Sequence, residues 1–282
     1  MLVRSASMLA LLASSTVFAG TVNFSVTNAN DSGPGSLRQA LLDLQSNPDA
    51  VLFVTFQPSY PQDATIQLLT PLPVITQRGV IISGSQRNPR IRAPVDSTAS
   101  IIRADAPLQG LTLTNLRFEG GRSNEGGGCV HGMHDNLLEP PAGLAVSGSS
   151  FTDCQAIADG KQPLGGGAIL WRSPEGSVTI YSSAFNGNAV LNGPSGTANG
   201  SGGAISMGGR RLTVETSRFL NNRVEMVSSA GGAIDSGLRS ESVVLWDNVL
   251  ANNLALAESG NAVGGAVSID CFEDCGVTLD RN

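Results

Sequence analysis

The sequence predicts an all-β protein, a parallel β-helix (solenoid) closed at its N-terminal end by one short helix. Three observations carry that prediction: a repeat of about 33 residues, a period of two inside each repeat, and a core that must be built from small side chains. Of 282 residues, 41% are hydrophobic but only 5% are aromatic, and 34 are glycine. That apolar content does not fit a solvated coil, so something packs here with few aromatics.

The repeat emerges when the segments starting at Leu111, Leu144, Val178, Leu212, Val243 and Val277 are aligned. Their starts lie 33, 34, 34, 31 and 34 residues apart. Seven residues after the first five starts stand Phe118, Phe151, Phe185, Phe219 and Leu250, and three residues further on Gly121, Cys154, Asn188, Asn222 and Asn253. A small-residue strand start follows each: Gly127-Gly-Cys-Val, Gly166-Gly-Ala-Ile, Gly202-Gly-Ala-Ile, Gly231-Gly-Ala-Ile and Gly264-Gly-Ala-Val. Apolar and polar residues alternate, as in Val178-Thr-Ile-Tyr, which marks strands with one buried face. No helical period persists in 111–282, so helical solenoids are excluded. Stacked turns then predict ladders, with Phe118, Phe151, Phe185 and Phe219 piled on one another and Asn188, Asn222 and Asn253 bonding along the axis. The connections between the Asn and Gly-Gly columns vary in length, so loops are expected on one side of the solenoid.

Taken in order, residues 1–19 read as a signal peptide, with Arg4 as the positive start, an apolar run from Met8 to Ala13 and cleavage after Ala19. The run is too short to span a bilayer, and no later segment is long or apolar enough to do so. The mature chain is therefore expected to be exported, to the outside of the cell or its outer surface. Residues 20–110 read as a cap with the first turns. Phe24–Thr27 is a strand, 31–35 is turn chemistry, and Ser36 to Gln39 is a capping box opening an amphipathic helix to about Gln45. Strands follow at Val51–Phe56, Thr65–Leu69, Pro73–Thr76 and Val80–Ser83. The helix is the natural cover for the first hydrophobic turn, or else a surface for a partner. Residues 111–282 hold the repeated turns. The last segment stops two residues before the next expected Phe, so a longer protein is expected.

Charge and motifs narrow the function. Seventeen Lys and Arg face 23 Asp and Glu, a net charge of −6, and Lys161 is the only lysine. Nucleic acid is excluded as a partner, because nothing forms the basic stripe that phosphates need. In an exported chain Cys129, Cys154, Cys271 and Cys275 are disulfide candidates. Four cysteines allow three pairings; Cys271–Cys275 with Cys129–Cys154 is the expected one. Cys129, His131, His134 and Asp135 are the only cluster with metal-ligand types. No second Cys/His pair completes a tetrahedral set, so neither a metal nor another cofactor is expected.

Two outward columns follow from the repeat. One runs His131, Leu170, Ser206, Asp235 and Ser268, and is read as exposed. The other runs Thr114, Ser147, Tyr181, Glu215, Trp246 and Asp280. Polysaccharide chemistry needs converging carboxylates or an acidic cluster beside a basic residue. Neither column brings two acids onto neighbouring turns, so no catalytic residue is assigned, with Asp235 the best-placed acid. That reading gains if a carboxylate pair shares a groove with an Arg. Tyr181, Glu215 and Trp246 alternate aromatic and acid, as a glycan-gripping stripe would; an ordinary solvated strand face reads the same way. The expectation is a non-catalytic secreted or cell-surface protein, passenger-like or adhesin-like, meeting extracellular glycans or a neighbouring or host cell. A polysaccharide lyase or glycosidase, or a glycan-binding module, is the alternative.

The segment from Val26 through Leu41, with Leu72-Pro-Val-Ile-Thr and Leu111-Thr-Leu-Thr-Asn, resembles the N-terminal region of CSLREA-type exported proteins. The Gly-Gly-Ala-Ile and Phe-x-x-Asn columns are similar to those of polymorphic outer membrane proteins and autotransporter-like passengers. The resemblance covers residues 24–282 and implies a right-handed parallel β-helix at or beyond the cell surface. Cys129 and Cys154 depart from that pattern, standing where it has Ala and Asn.

Overall fold

A computed structural model describes residues 21–46, 51–134, 140–160, 162, 164–194 and 196–282, without the side chains of Leu238, Arg239 and residues 271–274. The expected signal peptide lies outside the described residues. The chain forms a parallel β-solenoid of about 7 turns with one short helix. One turn shows the pattern: Gly143–Ser147, Ser150–Thr152, Gln155–Ala158, Leu164–Gly165 and Ile169–Arg172. Each strand pairs in parallel with its equivalent in the next turn, so five strand columns run along the axis. The first and fifth columns join into a 13-stranded sheet, because Ile234–Trp246 and Val267–Asp280 each run through both.

The register follows the sequence repeat. Leu111, Leu144, Val178, Leu212, Val243 and Val277 are successive partners in the first column. Phe118, Phe151, Phe185, Phe219 and Leu250 are successive partners in the second. The four Phe rings stack with centroids 5.0, 4.8 and 4.7 Å apart. Such stacks fill the core with a few aromatics where a globular domain would use many.

At the next bend the Asn amides bond along the axis. Asn188 Nδ2 donates to Asn222 Oδ1 at 2.9 Å, and Asn222 Nδ2 donates to Asn253 Oδ1 at 2.9 Å. Each Nδ2 also reaches the carbonyl of the Phe one turn earlier, and each Oδ1 takes a backbone N–H from that turn. These bonds satisfy main-chain groups that a tight bend would otherwise bury unpaired. A second ladder, which the sequence reading missed, runs two residues before the Phe column. Ser149, Ser183, Ser217, Asn248 and Asn282 each accept a backbone N–H from the turn before.

The Gly-Gly pairs have two separate causes. Gly166 sits at φ 64°, the left-handed region that favours glycine. Gly167 presses backbone to backbone, and a methyl group there would overlap Gly203 O and Ala189 N. Cys129 stands in the Ala column, its N–H on Ala168 O, and is bridged to Cys154 with 5.6 Å between their Cα atoms. The disulfide takes the place of an Ala and Asn pair and tops the Asn ladder, since Cys154 N still donates to Asn188 Oδ1. The Cys271–Cys275 expectation falls on a side chain, Cys271, outside the described ones.

The N-terminal helix spans Leu37–Leu44 and packs Leu37, Ala40, Leu41 and Leu44 against the first strands, Thr21–Val26 and Val51–Phe56. Only half of the capping box forms. Ser36 Oγ accepts from Gln39 N at 3.1 Å, but the Gln39 side chain bonds Asp43 instead. Arg38 fixes the cap by pairing with Asp31 at 2.7 Å and donating to the Thr70 and Pro71 carbonyls. Pro73–Thr76 is not a strand but a single bridge at Ile75, since Pro71 and Pro73 have no N–H to donate to a ladder. Short strands at Arg90–Arg92 and Ile102–Asp105 complete the early turns.

Candidate functional site

The variable connections lie on one side, as expected, but they pack down rather than project. Leu164–Gly165, Gly200–Ser201, Ser229–Ala230 and Ala262–Val263 pair as a fourth column. Together with the third column they enclose a small second core of Ala156, Ala158, Leu164, Val190, Ala198, Val224 and Met226. This corrects one expectation. The column His131, Leu170, Ser206, Asp235 and Ser268 is buried, not exposed. The folded-back connections cover it: Ser201 Oγ lies 3.1 Å from Ser206 Oγ, and a methyl group on Gly165 would overlap the Ser206 side chain.

Asp235 sits at the floor of a groove of about 370 Å³ between the fourth and fifth columns. Ser206, Asp235 and Ser268 are register partners on successive turns. Two residues further along the same strands, on the same face, stand Arg172, Gly208, Gly237 and Asp270. Ser236 pairs with Ile269, so Gly237 and Asp270 come next on their two turns. Gly208 and Gly237 put no side chain on that outer line; the Arg172 side chain lies against Gly208, and Asp270 stands at the other end. Asp235 is 6% exposed, and the nearby Ser201 and Ser268 hydroxyls favour its ionised form. Burial pushes its pKa up from 3.8 to about 6 against the pull of those serines; Asp270 raises it further and Arg172 lowers it.

The sequence reading missed Arg172 and Asp270 because it followed one outward position per strand. The period of two places a second outward position two residues on, and that signal was available.

On the opposite course of the chain, Tyr181, Glu215, Trp246 and Asp280 are register partners in the first column. Tyr181 is 49% exposed and Trp246 40%, with Glu215 between them. Two turns separate the rings, about 9–10 Å at the usual strand spacing. Arg281 lies over the Trp246 ring at 4.7 Å and covers one face of the indole.

The Cys/His cluster has other uses. Cys129 is spent in the disulfide, and His131 Nδ1 lies 3.1 Å from Gly126 O. Burial lowers the His131 pKa, so the ring is neutral. His134 packs against Trp171 with ring centroids 5.4 Å apart, and Asp135 is outside the described residues. Among the described residues no group of three or more His, Cys, Asp or Glu is placed to hold a metal ion. No described helix is long and apolar enough to cross a membrane. No protein-family model, curated protein or solved structure matches this chain.

Proposed function

We propose that this chain is a non-catalytic, exported, adhesin-like β-solenoid that grips an extended extracellular glycan along its outer wall. The observation behind the reading is the register column Tyr181, Glu215, Trp246, in which both rings are exposed and the carboxylate is partly so. Two rings spaced two strands apart suit sugar faces that recur along a linear chain, and the carboxylate between them accepts hydroxyl hydrogen bonds. The signal-like N-terminus and the Cys129–Cys154 bridge support export, because a structural disulfide persists in an oxidising compartment. The resemblance to CSLREA-type proteins and surface passengers supports the same placement. Binding to an array of bacterial and host glycans tests it. Trp246→Ala and Tyr181→Ala are each expected to weaken binding at least about tenfold, the loss of one ring contact. A folded protein that binds no glycan, or binding that both variants leave unchanged, removes the proposal.

A second reading, a polysaccharide-cleaving enzyme, draws on the groove. Asp235, Asp270 and Arg172 line it together, which is the combination that such chemistry asks for. Asp235 would serve as proton donor and Asp270 as the base for water. It ranks second because Asp235 is 6% exposed, and a glycosidic oxygen must reach a buried carboxyl to take its proton. New reducing ends from a polysaccharide panel, lost in Asp235→Asn, would put it first.

A further inference from the structure

The groove and the wall differ in charge. On the wall, Glu215 is partly exposed. In the groove, Asp235 is buried, is repelled by Asp270 and is only weakly compensated by Arg172. A cation bound over Asp235 would relieve that charge, because opposite charge favours the ionised form. A divalent metal is the poorer fit, since among the described residues no three carboxylate, His or Cys groups converge here to hold one. A primary ammonium needs only a few acceptors and fits between two carboxylates.

The rest of the lining says what the ammonium is attached to. Asn199, Ser228, Ser229 and Asn261 offer donors and acceptors for hydroxyls, while Leu164 and Val263 offer an apolar side. That mixture suits a pyranose ring, apolar on its C–H face and polar at its rim. The groove's volume of about 370 Å³ is room for one such ring. We propose that this groove binds an amino sugar, its ammonium held between Asp235 and Asp270 and its hydroxyls by the flanking Ser and Asn side chains. The site is separate from the wall column and does not depend on the wall reading.

The test compares a glucosamine tetramer with its N-acetylated counterpart by isothermal titration calorimetry at pH 7. The free amine is expected to bind at least tenfold tighter, since acetylation removes the charge. Asp235→Asn and Asp270→Asn are each expected to weaken the amine form about tenfold or more, the size of a charge-assisted contact. Trp246→Ala is expected to leave it unchanged, which separates this site from the wall. Affinity of the wild type falls as the pH drops through about 6, where Asp235 takes up a proton beside Ser201, Ser268, Arg172 and Asp270, and the slope disappears in Asp235→Asn. Thermal melts confirm that each variant is folded. Equal affinity for both tetramers, binding insensitive to Asp235→Asn, or binding lost only in Trp246→Ala overturns the proposal.

Discussion

Asn222 and Asp235 are both buried polar side chains, thirteen residues apart in sequence and on the same solenoid, yet they stand in opposite energetic positions. Asn222 is fully engaged: its Nδ2 serves Phe185 O and Asn253 Oδ1, and its Oδ1 serves Asn188 twice. Asp235 has serine hydroxyls nearby but carries a charge that its surroundings do not offset. The ladder bend is closed chemistry, in which every polar atom is used by the fold. The groove is open chemistry, in which a charged group is kept short of partners. Such imbalance is a mark of ligand sites more often than of scaffolds.

The sharpest way to break the comparison is at the ladder. Asn222→Ala removes four hydrogen bonds and leaves the Asn188 N–H and one proton of the Asn188 amide buried without partners. At about 1–3 kcal/mol for each unsatisfied group, a loss of about 4 kcal/mol is expected in denaturant unfolding. A loss under about 1 kcal/mol would mean that the ladder is decoration and that the contrast with Asp235 fails.

The disulfide turn sharpens it next. Cys154 occupies the ladder position with a covalent bond where its neighbours use amides. Removing the bridge as Cys129→Ala with Cys154→Ala is expected to cost about 3 kcal/mol, the figure for a loop of this size. Cys129→Ala with Cys154→Asn restores the Ala and Asn columns of the turns below, and is expected to recover about half of that loss through new ladder bonds. Identical melting of the two double variants would show that the two chemistries are not interchangeable at this bend.

At Asp235 the sign reverses. Its folded pKa of about 6 lies above its ordinary value of 3.8, so the folded state holds the proton more tightly than the unfolded chain. The stability this supplies is complete below about pH 4 and lost as pH rises through 6, on the order of 2 kcal/mol after allowing for relaxation. Asp235→Asn keeps the shape without the charge. It is expected to raise stability at neutral pH by about that amount and to match the wild type near pH 4. A destabilised variant at pH 7 would place Asp235 with Asn222 as a structural group.

Much of this contrast was legible in the sequence, for a physical reason. Ladder positions repeat every turn because stacking requires the same side chain at the same place, so Phe118 to Phe219 and Asn188 to Asn253 declare themselves as columns. Groove residues need not repeat. Arg172, Gly208, Gly237 and Asp270 form no single-residue column, because an outward line that does not stack has no need of the same side chain on each turn. The burial of Ser206 and Asp235 was illegible for another reason. It depends on connections of unequal length folding back as strands, and their two-residue pairings leave no period to read.

The smallest expected effect lies at the bend just before the Ser ladder. Each turn there carries one residue in the left-handed region: Gly148 at φ 58°, Ser182 at 46°, Thr216 at 51° and Asp247 at 56°. Thr216 is the least suited of these, since a β-branched side chain crowds the backbone at positive φ. Its neighbour Ser217 is locked by accepting from Ser183 N and donating to Glu215 O, so the bend cannot relax away from that conformation. Thr216→Gly or Thr216→Asn relieves the crowding and leaves both ladder bonds in place. Each is expected to stabilise the protein by about 0.5–1 kcal/mol, with Asn ahead of Gly because it adds less freedom to the unfolded chain. Gly148→Thr is the reciprocal change and is expected to cost a similar amount. Its hydroxyl and methyl would also meet Asn115 Oδ1 in the turn above, so a loss larger than the gain at Thr216 measures that second contact. Equal stability of all four proteins would mean that these bends are soft, and that the ladders alone set their conformation.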